Sequence, residues 1–255
     1  MSELGERIRT APYGETYLFS AGQAGFVLRS RGGSLLGIDL CLSENTQSVE
    51  KNPGFRRLLP AAFDPDELAF DVLVATHTHA DHFDTIALPV LMKASPRATF
   101  FYSAECQPKA EALALDPGRC CPAAPGDAAM CGEFILRFVS CDHGDAAPDA
   151  FGLVVEVDSW RFYFAGDTCL RLDRVEELDA LGHIDVMAAP INGAFGNMSA
   201  DDCAEYAAAL KPTLTIPCHY GMFAAHGGDP DRFCAAMQEK GLSYLLLPQG
   251  ESFSL

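Results

Sequence analysis

The run Thr76-His77-Thr78-His79-Ala80-Asp81-His82-Phe83-Asp84 packs three imidazoles and a carboxylate into six positions, directly after the apolar stretch Val72-Leu73-Val74-Ala75. Imidazole nitrogens and carboxylate oxygens are ligands of Zn²⁺ and of harder cations such as Mn²⁺, and their spacing decides whether they can share an ion. Where a strand runs out into an extended loop, residues two apart face the same way. His77 and His79 can then grip one cation while Asp81 and His82 turn toward a second. A His-x-His-x-Asp-His run at a strand end is far more specific than a lone histidine pair, and it predicts a catalytic metal site.

Further ligand-type residues follow at the ends of other expected strands. His143, in Cys141-Asp142-His143-Gly144-Asp145, comes after a strand expected over 134–140 and fits as a third ligand beside His77 and His79; the competing role is a solvent-exposed turn histidine. Asp167, in Phe164-Ala165-Gly166-Asp167-Thr168, sits where one carboxylate can bridge two cations, although Gly-Asp is also a common turn pair. His219 ends Leu214-Thr215-Ile216-Pro217-Cys218 and supplies the second cation. His183 precedes a strand and reads as structural, whereas His226, in Ala225-His226-Gly227-Gly228-Asp229-Pro230, lies in a loop near His219 and reads as a substrate contact. Asp81 is expected to orient the attacking hydroxide, and Tyr220 or His226 to stabilise the leaving alkoxide. Cys141 and Cys218 have no histidine free to act as base, so they read as packed thiols rather than nucleophiles.

These residues need a scaffold. Short β-like runs over 16–20, 25–29 and 34–38, punctuated by Gly22, Gly32 and Gly33, predict an antiparallel meander. Then come a buried strand at 72–75, a helix over 83–93, a strand at 98–101 and a helix over 104–115. Strands are expected at 134–140, 152–157, 161–165, 184–188, 213–216 and 243–247, with helices over 200–210 and 231–240. The Pro/Gly/Cys-rich stretch 116–132 reads as a loop packed on the core. One internal echo stands out: Phe70-Asp71-Val72 and Ile184-Asp185-Val186 each open an apolar strand that leads into a polar loop.

Composition bounds the function. A chain of 255 residues with 49% hydrophobic content can bury a core as one domain, 1–255. Lys+Arg of 18 against Asp+Glu of 35 gives a formal charge of −17, which repels phosphate backbones and anionic lipid, so neither nucleic acid nor a membrane is an expected partner. Two divalent ions would nevertheless make the pocket locally positive, so a small anionic substrate is expected. The ten cysteines form no Cys-x-x-Cys pair and read as reduced, mostly buried thiols of a cytoplasmic protein.

The series His77-x-His79-x-Asp81-His82, His143, Asp167 and His219 resembles the metallo-β-lactamase superfamily over nearly the whole chain. Asp71 to His77, Phe164-Ala165-Gly166-Asp167-Thr168, Ile191-Asn192-Gly193 and Pro217-Cys218-His219-Tyr220-Gly221-Met222-Phe223 look like its L-ascorbate-6-phosphate lactonase branch. The resemblance implies an α/β fold, a four-layer αββα sandwich with two divalent ions (Zn or Mn) at one edge, often in a homo-oligomer. It further implies hydrolysis of a small cyclic ester, plausibly a phosphorylated sugar lactone, by metal-bound hydroxide. A phosphodiesterase of the same fold is the competing enzyme. A di-iron redox protein and a metal-bearing domain without turnover complete the alternatives.

Overall fold

The computed structural model describes residues 1–255. Thirteen strands form two sheets. The first contains β1 (Tyr17–Gly22), β2 (Gly25–Arg29), β3 (Leu35–Ile38), β4 (Val72–Ala75), β5 (Thr99–Ser103) and β6 (Cys120–Ala123). The second contains β7 (Ala128–Cys131), β8 (Phe134–Ser140), β9 (Phe151–Val157), β10 (Trp160–Phe164), β11 (Val186–Pro190) and β12 (Leu214–Cys218). The last strand, β13 (Ser252–Ser254), returns to the first sheet and closes its edge against β1. β1 to β3 are the expected antiparallel meander, and β3 to β6 are parallel. The second sheet is likewise antiparallel from β7 to β10 and parallel from β10 to β12.

The helices are α1 (Glu3–Thr10), α2 (Asn45–Glu50), α3 (Leu88–Ala94), α4 (Gln107–Ala112), α5 (Val175–Asp179), α6 (Ala200–Leu210) and α7 (Pro230–Glu239). Period-2 alternation sorts strand side chains into layers. Val72 and Val74 of β4 join Phe162 and Phe164 of β10 between the sheets. Leu73 and Ala75 face outward with Leu4 and Ile8 of α1 and Leu88 and Leu91 of α3. Tyr163 points the other way, under α5, α6 and α7. Three apolar clusters thus separate four layers, the αββα order expected. No helix is long and apolar enough to cross a membrane.

Several expected elements shift. The helix placed over 83–93 begins only at Leu88, because Asp84 Oδ1 accepts the Ile86 and Ala87 amides and holds the preceding turn open. The helix over 104–115 is a 3₁₀ turn followed by α4, which ends at Ala112. The stretch 116–132 is not simply a loop. It carries β6 and β7, so the crossover between sheets lies there, and Cys120 and Cys121 point to opposite faces of one strand. The strand expected at 243–247 makes two backbone bonds to Thr215 and then leaves the sheet before Pro248. The thiols are all free, but only Cys41, Cys106, Cys203 and Cys218 are fully buried.

Candidate metal centre

The polar loop after β4 is held from below. Asp39, which follows β3 and is buried, accepts the Thr76 amide on Oδ1 at 2.8 Å and the Thr76 hydroxyl on Oδ2 at 2.7 Å. The same Oδ2 lies 2.8 Å from His82 Nδ1. That contact keeps the proton on Nδ1 and turns the Nε2 lone pair outward, as a carboxylate does for a metal-ligating imidazole. Asn45 Nδ2 donates to Ala80 O at 2.9 Å, and Asp84 gathers the Leu42 and Ser43 amides. The loop therefore emerges with its side chains aimed by at least three anchors.

Around it the ends of β8, β10 and β12 deliver His143, Asp167 and His219. His79 Nδ1 lies 3.0 Å from His77 Nε2 and 3.1 Å from His143 Nε2. His219 Nε2 lies 3.4 Å from His82 Nε2 and 3.2 Å from Asp81 Oδ2, with His82 Nε2 to Asp81 Oδ2 at 3.5 Å. Asp167 stands between the groups, with Oδ2 3.0 Å from His219 Nε2 and 3.7 Å from His143 Nε2, and Oδ1 3.3 Å from His82 Nε2. A tetrahedral ion with metal–nitrogen bonds near 2.05 Å requires ligand atoms about 3.3 Å apart, so both edge sets suit a cation. Asp167 Oδ1 is moreover buried without a hydrogen-bond partner, as a carboxylate reserved for an ion would be. The donor set fits divalent metal.

Without cations the centre sorts its protons. Burial, reinforced by the neighbouring His82 charge, pushes His77 well below the ordinary imidazole range, and burial takes His143 down to about 4. Burial opposes charge on His82 as well, but Asp167, Asp39 and Asp81 outweigh it and raise that imidazole strongly. At His219 burial is overcome by Asp167 and Asp81, which lift it to about 9. The two carboxylates, despite burial, are held well below their usual range chiefly by His82 and His219. Protons on His82 and His219 occupy the positions where positive charge is wanted.

A cleft of about 280 Å³ opens onto this cluster, lined among others by Thr46, Glu50, Phe55, His79, Asp81, Phe195 and His226. The expected substrate contact His226 is not in an open loop. It is buried, with its ring 4.5 Å from that of His219 and in edge contact with Phe55, Phe195 and Phe223. Asp81, His219 and His226 also approach closely enough to form a ligand group of their own. Tyr220 does not join the site. Its Cβ packs beneath Gly228, where an added methyl would come within 2.5 Å of it, and its side chain lines a separate apolar cavity with Leu246 and Leu247. His183 is exposed and bonds Thr213, remote from the centre.

Three supporting residues escaped sequence reasoning. Gln23 Nε2 lies 2.9 Å from Asp81 Oδ2 and 2.6 Å from His226 Nδ1, while the Gln23 backbone carbonyl accepts the His219 amide at 2.8 Å. Asn197 Nδ2 donates to Asp167 Oδ2 at 2.8 Å. For Asp39 a signal existed, an acid ending the strand beside β4; for Gln23 and Asn197 there was none.

The profile of the beta-lactamase superfamily domain matches residues 17–219, a span that takes in His77, His79, Asp81, His82, His143, Asp167 and His219. The chain belongs to that superfamily. It is 28% identical over 189 residues to a UPF0173 metal-dependent hydrolase of Thermoplasma acidophilum, covering 73% of this chain and 81% of the relative. A second UPF0173 metal-dependent hydrolase, of Anaeromyxobacter dehalogenans, is 28% identical over 254 residues, covering 93% and 86%. Among solved structures, Igni18, a metallo hydrolase of Ignicoccus hospitalis, superposes with a TM-score of 0.71 at 22% identity, covering 94% of this chain and 98% of that one. This last likeness establishes the fold.

Proposed function

We propose that this metal-dependent hydrolase binds two divalent cations and opens a small carboxylic ester, most simply a cyclic one. His77, His79 and His143 would hold one ion, Asp81, His82 and His219 the other, and Asp167 both. Zn²⁺ or Mn²⁺ in such a pair supplies an acidified water, with its pKa lowered to about 7, and a Lewis acid for the attacked carbonyl. The observation that carries this reading is the convergence of seven ligand-type residues, from four strand ends, on two groups of atoms with neighbouring members 3.0–3.7 Å apart.

The remaining steps belong to side chains. Asp81 lines the cleft with its Oδ2 fixed by the Gln23 amide, and its carboxylate can accept a hydrogen bond from the attacking water and so aim it. Burial takes His226 down to about 4, so at neutral pH its ring is uncharged. With the Gln23 amide donating to Nδ1, the His226 proton sits on Nε2 and is available to the leaving oxygen. The donor role expected of either Tyr220 or His226 therefore passes to His226. Carboxylic rather than phosphoric esters are favoured because phosphoryl transfer needs its non-bridging oxygens clamped, and the cleft lining includes neither Lys nor Arg. The nearby Arg57 is spent on the Cys41, Leu59 and Pro60 carbonyls. The resemblance to the lactonase branch supports a ring-opened ester.

Metal-loaded protein assayed against a panel of lactones, acyclic esters and bis-p-nitrophenyl phosphate tests the reading. Higher kcat/KM on the phosphodiester than on every carboxylic ester would replace it with the phosphodiesterase alternative.

A further inference from the structure

Resting on that hydrolase reading, the cleft walls narrow the substrate. Phe195 is the unusual residue. Its backbone is left-handed, with φ +55, a conformation that costs a bulky residue energy, and its side chain is 57% exposed instead of buried. Strain combined with an exposed aromatic has no benefit for folding, and strained residues held in place cluster at ligand-binding positions. The loop is fixed to the reaction centre, since Asn197, two residues on, bonds Asp167. The Phe195 ring lies 6.0 Å from Phe55 and 5.5 Å from His226, which itself stacks on His219. An aromatic wall thus runs without a break from a ligand imidazole to solvent.

Charge points the same way. Glu50 lies at the mouth, and apart from the imidazoles of the centre the charged side chains of the lining are carboxylates. A phosphate held at a distance from the cations would face Glu50 and have no guanidinium or ammonium partner in the lining.

We propose that the cleft accepts an uncharged ester or lactone whose acyl or fused-ring portion is aromatic, lying on Phe195 and Phe55 with the scissile carbonyl toward the Asp81 and Asp167 end, and that it disfavours phosphorylated substrates. Selectivity comes from the burial and edge-to-face contact of the arene against this wall. The anionic sugar lactone expected from the sequence is then the wrong shape and the wrong charge.

Two experiments separate this inference from the hydrolase reading. The first compares kcat/KM of metal-loaded enzyme on dihydrocoumarin, δ-valerolactone and 6-phosphogluconolactone. Dihydrocoumarin should be preferred at least tenfold over either, Phe195→Ala should reduce that preference at least fivefold, and Phe195→Leu should retain part of it. Glu50→Lys should improve the phosphorylated lactone relative to dihydrocoumarin. The second measures binding without turnover, titrating 3-phenylpropionamide and propionamide into wild-type protein by calorimetry. The aryl amide should bind at least tenfold more tightly, and Phe195→Ala should erase most of the difference. Ester turnover without arene preference in either experiment overturns this inference and leaves the hydrolase standing. Arene-selective binding with no ester turned over does the reverse. A preference for the phosphorylated lactone overturns the charge argument.

Discussion

Asp39 Oδ2 lies 2.8 Å from His82 Nδ1 while accepting the Thr76 hydroxyl at 2.7 Å, so one buried carboxylate sets both the path of the metal loop and the tautomer of an imidazole within it. Its own backbone is left-handed, with φ +47, a strained arrangement for a residue other than glycine. The position is built for orientation rather than for ligation.

Replacing Asp39 with Asn keeps the shape but weakens the hold on His82. The expected loss in affinity is roughly 10- to 100-fold for the cation that His82 would bind, with the ion at His77, His79 and His143 retained. Chelator competition on the purified variant should show one tight and one weakened ion.

Metal content itself should be close to two divalent ions per chain, falling in His79→Ala and further in Asp167→Ala, because Asp167 contacts both groups. Elemental analysis measures it directly. Each ion should also stabilise the fold by about 4 kcal/mol when free metal is 1,000 times its Kd, visible as a rise in Tm that chelator reverses. No stoichiometric transition metal after reconstitution with Zn²⁺ or Mn²⁺ would remove the foundation of the proposed chemistry.

Asp81→Asn should leave the fold intact and keep at least the ion of the three-histidine group, yet lower kcat by two orders of magnitude or more, since the amide cannot aim the water as the carboxylate does. His226→Ala separates two roles for that ring: retained metal with depressed kcat identifies a donor to the leaving oxygen, whereas loss of an ion identifies a ligand alongside Asp81 and His219. Metal content and steady-state kinetics on the same preparations decide.

The metal-free protein should be most stable near pH 6.5. Burial depresses His143 and His226 to about 4, so below the unfolded histidine range, near 6.5, the unfolded chain takes up protons first and stability falls with pH. The carboxylates around His219 raise it to about 9, so its contribution is fully present below about 6.5 and lost as pH rises toward 9. Cations must displace the His219 proton, so metal affinity should climb across that same upper range and loading at pH 7 should release protons. Thermal scans from pH 4 to 9 with and without metal, and calorimetry in buffers of different ionisation enthalpy, provide the check.

The convergence of these ligand-type residues was legible because they coincide with strand ends along the chain, a one-dimensional signal. The echo between Phe70-Asp71-Val72 and Ile184-Asp185-Val186 also marks shared construction: Asp71 Oδ2 accepts the Leu35 amide at 3.0 Å and Asp185 Oδ2 the Arg161 amide at 2.8 Å, each tying the start of a parallel strand to its neighbour. What escaped was what only tertiary packing creates. Gln23 reaches Asp81 across 58 positions, and Phe195 becomes a wall only when its loop folds beneath Asp167. Tyr220 misled because adjacency to His219 in sequence does not survive the left-handed turn at His219, φ +62, after which the next side chain leaves the cleft. The three-residue strand β13 is too short to carry a periodic pattern.

Both groups of the proposed centre draw members from both sheets: His77 and His79 follow β4 while His143 follows β8, and Asp81 and His82 lie against His219 at the end of β12. A cation seated there works as a rivet through the seam of the sandwich. It can leave through the cleft only after ligands carried by both sheets let go, so isotope exchange of bound metal, measured with excess competing chelator, becomes a clock for that loosening. Its rate should track amide-hydrogen exchange at the ends of β4 and β12 more closely than exchange in the mid-strand core.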